Sequence, residues 1–132
     1  MVEEWRTAIY NGEVFENYEV SNMGRVRSLN YRGHGKIQIL KPYKDSRGYL
    51  RIDLFKNRKK QICKLHRLVA FVFIPNNDET KMEINHKDEN KENNSVENLE
   101  WCDRDYNNSY GTINERRGKS KSRKNIQLAM RL

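Results

Sequence analysis

Cysteine is scarce in this 132-residue chain, and what cysteine there is forms no pair. Cys63 and Cys102 belong to no Cys-x-x-Cys, so neither a zinc knuckle nor another structural zinc is expected. Both read as reduced thiols packed like small apolar side chains. Long hydrophobic runs are missing too. The longest, residues 68–74, is far too short to cross a bilayer. The opening Met1-Val2-Glu3-Glu4-Trp5 has no basic segment followed by an apolar one, so no signal peptide is read and a cytoplasmic location is expected. No internal repeat is visible, and no tandem aromatic platform offers stacking for single strands, which argues against an RNA binder.

What the chain has in excess is positive charge. Its formal net charge is +8, and the distribution says more than the total. Residues 25–67 hold 14 Lys and Arg against 2 Asp and Glu, and residues 114–132 hold 7 against 1. Between them, residues 68–113 hold 4 against 10. Two basic stretches around an acidic one suit a polyanion gripped on both sides of a metal centre. With 36% hydrophobic residues the chain can build a small core, in one compact domain or a domain with appendages.

The first half reads as antiparallel β structure. Asn11-Gly12 is a turn signal, and Ser21-Asn22-Met23-Gly24 joins residues 16–20 to 25–29 as a hairpin. Residues 37–41 form a further strand. Tyr49-Leu50-Arg51-Ile52-Asp53-Leu54-Phe55 alternates, with Leu50, Ile52 and Leu54 on one face. The expected result is one small sheet, apolar on one side and studded with Lys and Arg elsewhere. A β-ribbon of this type can enter a DNA major groove. The cations nominated for DNA are Arg25, Arg27, Lys41, Arg47, Arg51, Lys64 and Arg67, with Arg116, Arg117, Lys119 and Lys121 in the tail. Residues 66–73 read as a short buried helix or a strand, stopped by Pro75. After Tyr110 the composition turns small, polar and basic, with a short helix expected over residues 125–132.

The second half centres on Met82-Glu83-Ile84-Asn85-His86-Lys87-Asp88, then Asn98-Leu99-Glu100-Trp101, then Asn107. Met82, Ile84, Leu99 and Trp101 have the spacing of half-buried strand residues. Residues 88–95 between them hold nothing apolar, and ordering so polar a loop costs entropy that function can justify. Asp103 offers an N-cap for a helix over residues 104–110. That order is strand, loop, strand, helix. It can gather one imidazole (His86) and two amide oxygens (Asn85 and Asn107) about one point. Magnesium takes oxygen ligands, and a neutral imidazole beside it can deprotonate water.

These residues resemble the HNH nuclease motif, the ββα-metal finger, and more narrowly the phage and intron-encoded HNH homing endonucleases. The upstream Tyr18-Glu19-Val20-Ser21-Asn22-Met23-Gly24-Arg25-Val26-Arg27-Ser28 resembles the nuclease-associated modular domain that precedes HNH in such enzymes. Leu65-His66-Arg67-Leu68-Val69-Ala70 with Phe73-Ile74-Pro75 fits the same pattern. The likeness covers roughly residues 4–110.

It implies an α+β fold: a small N-terminal antiparallel sheet over residues 1–65, an HNH finger with its preceding helix over 66–112, and a basic tail over 113–132. It favours helix over strand for residues 66–73. It implies His86 as general base, Asn98 as the residue tying loop to strand, and Asn85 and Asn107 as ligands of one Mg2+ or Mn2+. Asn93 and Asn94 are assigned to the loop turn. Many relatives carry Asp where this chain has Asn85, so weak metal binding without DNA is expected. No role is derived for His66. The implied partner is double-stranded DNA, cut to 5′-phosphate and 3′-hydroxyl ends inside a bacterial cell by a phage or mobile-element protein. Monomer and homodimer both stay open, as does a non-cleaving DNA-binding protein that keeps the fold.

Overall fold

The computed structural model describes residues 2–111; the tail helix expected over residues 125–132 lies outside them. Among the described residues, nine strands and two α-helices follow in the order β1 to β7, α1, β8, β9, α2. The described chain divides into two compact units, residues 2–75 with 86–100, and residues 76–85 with 101–111.

The first unit begins with a four-stranded antiparallel sheet, β1 (Trp5–Tyr10), β2 (Glu13–Ser21), β3 (Val26–Tyr31) and β4 (Lys36–Ile39), in sequential order. Asn11 and Gly12 both take positive φ at the first hairpin, the geometry whose twist matches the flanking strands. A second sheet follows, β5 (Tyr43–Lys44), β6 (Leu50–Lys56) and β7 (Lys59–Lys64). The single N-terminal sheet expected from the alternation is therefore two. The break falls at residues 40–42. Leu40 N–H makes one last bond to Val26 O, and Pro42 then has no N–H to continue a ladder. In β6 the alternation holds, with Ile52 and Leu54 buried and Arg51 and Asp53 half-buried.

Helix α1 (Leu65–Phe73) settles residues 66–73 as helix. It buries Leu65, His66, Leu68, Val69 and Ala70 and packs on β1, where the Tyr10 and Phe71 rings meet edge to face at 5.6 Å. Full burial of each such aliphatic side chain is worth roughly 1.5–3 kcal/mol. Two tyrosines of the first sheet also bind the second. Tyr18 Oη accepts from Phe55 N–H at 3.1 Å, and Tyr10 Oη accepts from Lys64 N–H at 3.2 Å. Cys63 is fully buried here, and desolvation pushes its thiol up to about 12, so it behaves as an apolar residue.

Strands β8 (Glu83–His86) and β9 (Leu99–Cys102) form a two-stranded sheet, and a short 3-10 turn, Val96–Asn98, leads into β9. Ile84 and Leu99 are buried and Trp101 is half-buried. Met82 departs from the expectation: it precedes the strand and is 65% exposed. In the second unit, Asp103 caps α2 (Arg104–Ser109) by accepting Tyr106 N–H at 2.7 Å. The same unit orders its loop through Asp78, which accepts from both the N–H and the hydroxyl of Thr80.

Candidate active site

Residues 88–95, between β8 and β9, include no apolar residue to bury, so polar side chains must build this loop. Asp88 and Asn98 do most of this. Asn98 Oδ1 accepts Asp88 N–H at 3.0 Å, while its Nδ2 donates to Asp88 Oδ1 and to Asn93 O, each at 2.8 Å. Asp88 also accepts from Asn90 N–H and from Asn93 Nδ2, both at 2.8 Å. These donors, Asn93 first, hold its carboxyl below the usual carboxylate range. Lys87 N–H donates to Asn98 O, so the clip closes at the strand ends.

His86 lies at the mouth of this clip and is 5% exposed. Its Nε2 lies 2.8 Å from Asn94 Oδ1. The Asn94 amide is oriented by its other end, since Nδ2 donates to Lys91 O at 3.3 Å. An amide oxygen only accepts, so Nε2 carries the proton and donates it. Nδ1 is left as the nitrogen with the lone pair. Burial pushes the imidazole below its ordinary value, and the Asn94 bond partly opposes that. The ring is thus kept neutral and in one tautomer, as a general base requires.

Two more rings flank it. His66 from α1 sits 5.2 Å from the His86 ring centre, and Tyr49 lies 5.1 Å from His66 and 6.1 Å from His86. Lys91 Nζ stands 4.6 Å over the Tyr49 ring and donates to Arg47 O at 2.8 Å. His66 is deeply buried, and desolvation first, with the neighbouring His86 ring and Arg67 working the same way, lowers its imidazole to about 3. His66 is therefore a neutral neighbour of His86. From sequence, His66 had no derived role and Asn94 was assigned only to the loop turn. Asn94 differs from Asn93 only in which way the loop turns, and no spacing rule separates two adjacent asparagines.

Asn85 and Asn107 both belong to the second unit. Asn85 is buried, and its Nδ2 has no hydrogen-bond partner. A buried amide N–H group with no acceptor is costly unless a bound partner supplies one. Asn107 lies half-buried on α2. No group of three or more His, Cys, Asp or Glu that could hold a metal occurs among the described residues.

The cations nominated for DNA differ in their surroundings. Arg25 pairs with Glu3, Arg27 with Glu19 and Arg51 with Asp45. Arg25 and Arg27 also lie over the Trp5 ring. Arg67 stands 5.6 Å from the Phe71 ring centre. Lys41, Arg47 and Lys64 are exposed. Arg116, Arg117, Lys119 and Lys121 lie outside the described residues.

Comparison with known proteins matches two stretches of the chain. The NUMOD4 motif matches residues 3–55, and the HNH endonuclease family matches residues 63–109. An uncharacterized HNH endonuclease of Acanthamoeba polyphaga mimivirus is 37% identical over 114 residues, covering 86% of this chain and 31% of that protein. DNA endonuclease I-HmuI of Bacillus phage SP01 is 40% identical over 102 residues, covering 74% of this chain and 55% of its own. A solved structure reported for DNA binding and cleavage by the HNH homing endonuclease I-HmuI superposes with a TM-score of 0.70 at 35% identity. It covers 96% of this chain and 66% of that one. The chain thus spans about a third to about half of the curated relatives' length. It is a member of the HNH endonuclease family, with a NUMOD4 motif ahead of its HNH segment.

Proposed function

We propose that this chain is a metal-dependent DNA endonuclease in which His86 is the general base. The observation that carries the reading is the His86–Asn94 bond, which fixes the proton on Nε2 and leaves Nδ1 to take one. In the proposed step a water oxygen attacks the phosphodiester phosphorus as its proton passes to His86 Nδ1. The bond from phosphorus to the 3′ oxygen breaks. The products are a 5′-phosphate and a 3′-hydroxyl, the latter protonated from solvent.

Asn85 and Asn107 would hold the divalent cation, Mg2+ or Mn2+. Each would offer its side-chain oxygen, and the unpaired Nδ2 of Asn85 calls for an acceptor, which a phosphate oxygen of the DNA would supply. When bound, such an ion acts as a Lewis acid on the phosphate and steadies the leaving oxygen. Two neutral amides bind a hard cation weakly, so a phosphate oxygen of the DNA completes the set. His86 and its clip hold the base, and exposed Lys41, Arg47 and Lys64, with the tail cations, grip the backbone.

The test is conversion of supercoiled plasmid and of phage genomic DNA with Mg2+, with Mn2+ and with EDTA. Metal-dependent nicked or linear product supports the reading; nicked product alone points to one finger acting at a time, linear product to two. DNA binding without cleavage under any metal would leave a non-cleaving DNA-binding protein, which Asn85 in place of a carboxylate would suit.

A further inference from the structure

The turn at residues 21–24, inside the stretch that matches the NUMOD4 motif, touches the loop that orients His86. We infer that this turn is a positioning element for the general base, acting through Asn94. The inference rests on the reading of His86 as the base.

The turn is held by its own hydrogen bonds before it meets the loop. Ser21 is fully buried, and its Oγ accepts from Met23 N–H at 3.2 Å and Arg25 N–H at 3.1 Å. Asn22 spends its side chain on the N-terminal segment, accepting Glu4 N–H at 2.9 Å and donating to Val2 O at 3.0 Å. Its backbone carbonyl is thereby aimed at the loop. Asn22 O accepts Val96 N–H at 2.9 Å and the Ser95 hydroxyl at 3.4 Å.

Gly24 makes the closest approach. Its φ is +83°, a conformation open mainly to glycine. A Cβ built there would stand 2.7 Å from Asn94 O and 2.9 Å from Asn94 C. Those are backbone atoms and cannot swing aside. By contrast, a Cβ at Gly12, Gly33 or Gly35 meets nothing within 4 Å. A side chain at residue 24 must therefore push residues 94–96, and Asn94 carries the oxygen that holds His86 Nε2. The path from turn to base is two contacts long and lies within one compact unit.

Two variants act on the turn by different means. Gly24→Ala inserts the Cβ. Val96→Pro removes the N–H that Asn22 O accepts and little else: Val96 opens the 3-10 turn, where proline is tolerated, and Ser95 is already extended at ψ 144°. Single-turnover cleavage at saturating protein is measured with DNA affinity, thermal melting and 15N signals of the His86 ring. In each variant the cleavage rate is expected to fall on the order of 10- to 100-fold, with affinity held within about twofold. The ring nitrogens should move from one tautomer toward a mixture. In an Asn94→Ala background, either variant should cost no further rate.

Wild-type rates and ring signals in both folded variants overturn the inference, and so does a loss that multiplies with Asn94→Ala. Should Gly24→Ala fail to fold, Val96→Pro decides alone. A His86→Ala arm separates the two claims. If it cleaves like wild type, the base assignment fails. If it is inactive while both turn variants cleave normally, only the inference fails.

Discussion

The loop at residues 88–98 and the second sheet at residues 43–64 are built from opposite materials. The sheet is held by Ile52, Leu54 and Cys63, each at most 2% exposed, and most of its charges look outward. The loop buries almost no apolar surface. It stands on a mesh of side-chain amides and one carboxylate, with Asn94 and Asn98 buried and paired. Hydrophobic burial is tolerant of direction; hydrogen bonds are not. The sheet can therefore carry variable charges on its surface, whereas the loop fixes one imidazole in one orientation.

If that contrast is right, damage should differ in kind. The largest stability effect belongs to the sheet. Leu54→Ala should lower unfolding free energy by roughly 2–5 kcal/mol in a denaturant titration, because it opens a cavity in a closed core. Asn98→Ala should cost less overall, about 1–3 kcal/mol, since it strands Asp88 N–H and Asn93 O. Its signature should be local, with hydrogen exchange rising at residues 87–94 before the sheet opens.

A third effect depends on pH. His66 is neutral in the fold down to about pH 3 but takes a proton near pH 6.5 when unfolded. Between those values the unfolded state binds the extra proton, so stability falls as pH falls, at up to roughly 1.4 kcal/mol per pH unit. Above the unfolded value the term is constant. Melting followed from pH 7 to pH 4 should show this slope, and His66→Phe should flatten it. The smallest effect is on the charged surface. Lys41→Ala or Lys64→Ala should change stability by no more than about 0.5 kcal/mol. Each should reduce the salt dependence of DNA binding by about one counterion if it contacts a phosphate.

The elements that sequence made legible are those with local signals. Alternation marked β6, Asn11-Gly12 marked the first hairpin, and Asp103 marked the α2 cap. Helix α1 carried an ambiguous apolar run, and the family likeness, not periodicity, separated helix from strand. The split into two sheets was missed because it depends on where a ladder stops. The site was half legible. Asn98 stood out by its place in the motif, but its triple clip on Asp88 and Asn93 needed coordinates. The His66–His86 ring contact joins residues 20 apart in sequence, and the Gly24–Asn94 contact joins residues 70 apart. No local pattern encodes either. The same holds for Arg25, Arg27 and Arg51, whose acidic partners were invisible in a count of charges.

The most direct test of the central claim compares wild type with His86→Ala in single-turnover DNA cleavage, with both proteins saturating and divalent metal present. The account predicts equal DNA affinity and a rate lower by about 10²–10⁴-fold in the variant, the span a positioned general base supplies. A variant that binds and cleaves like wild type would contradict it.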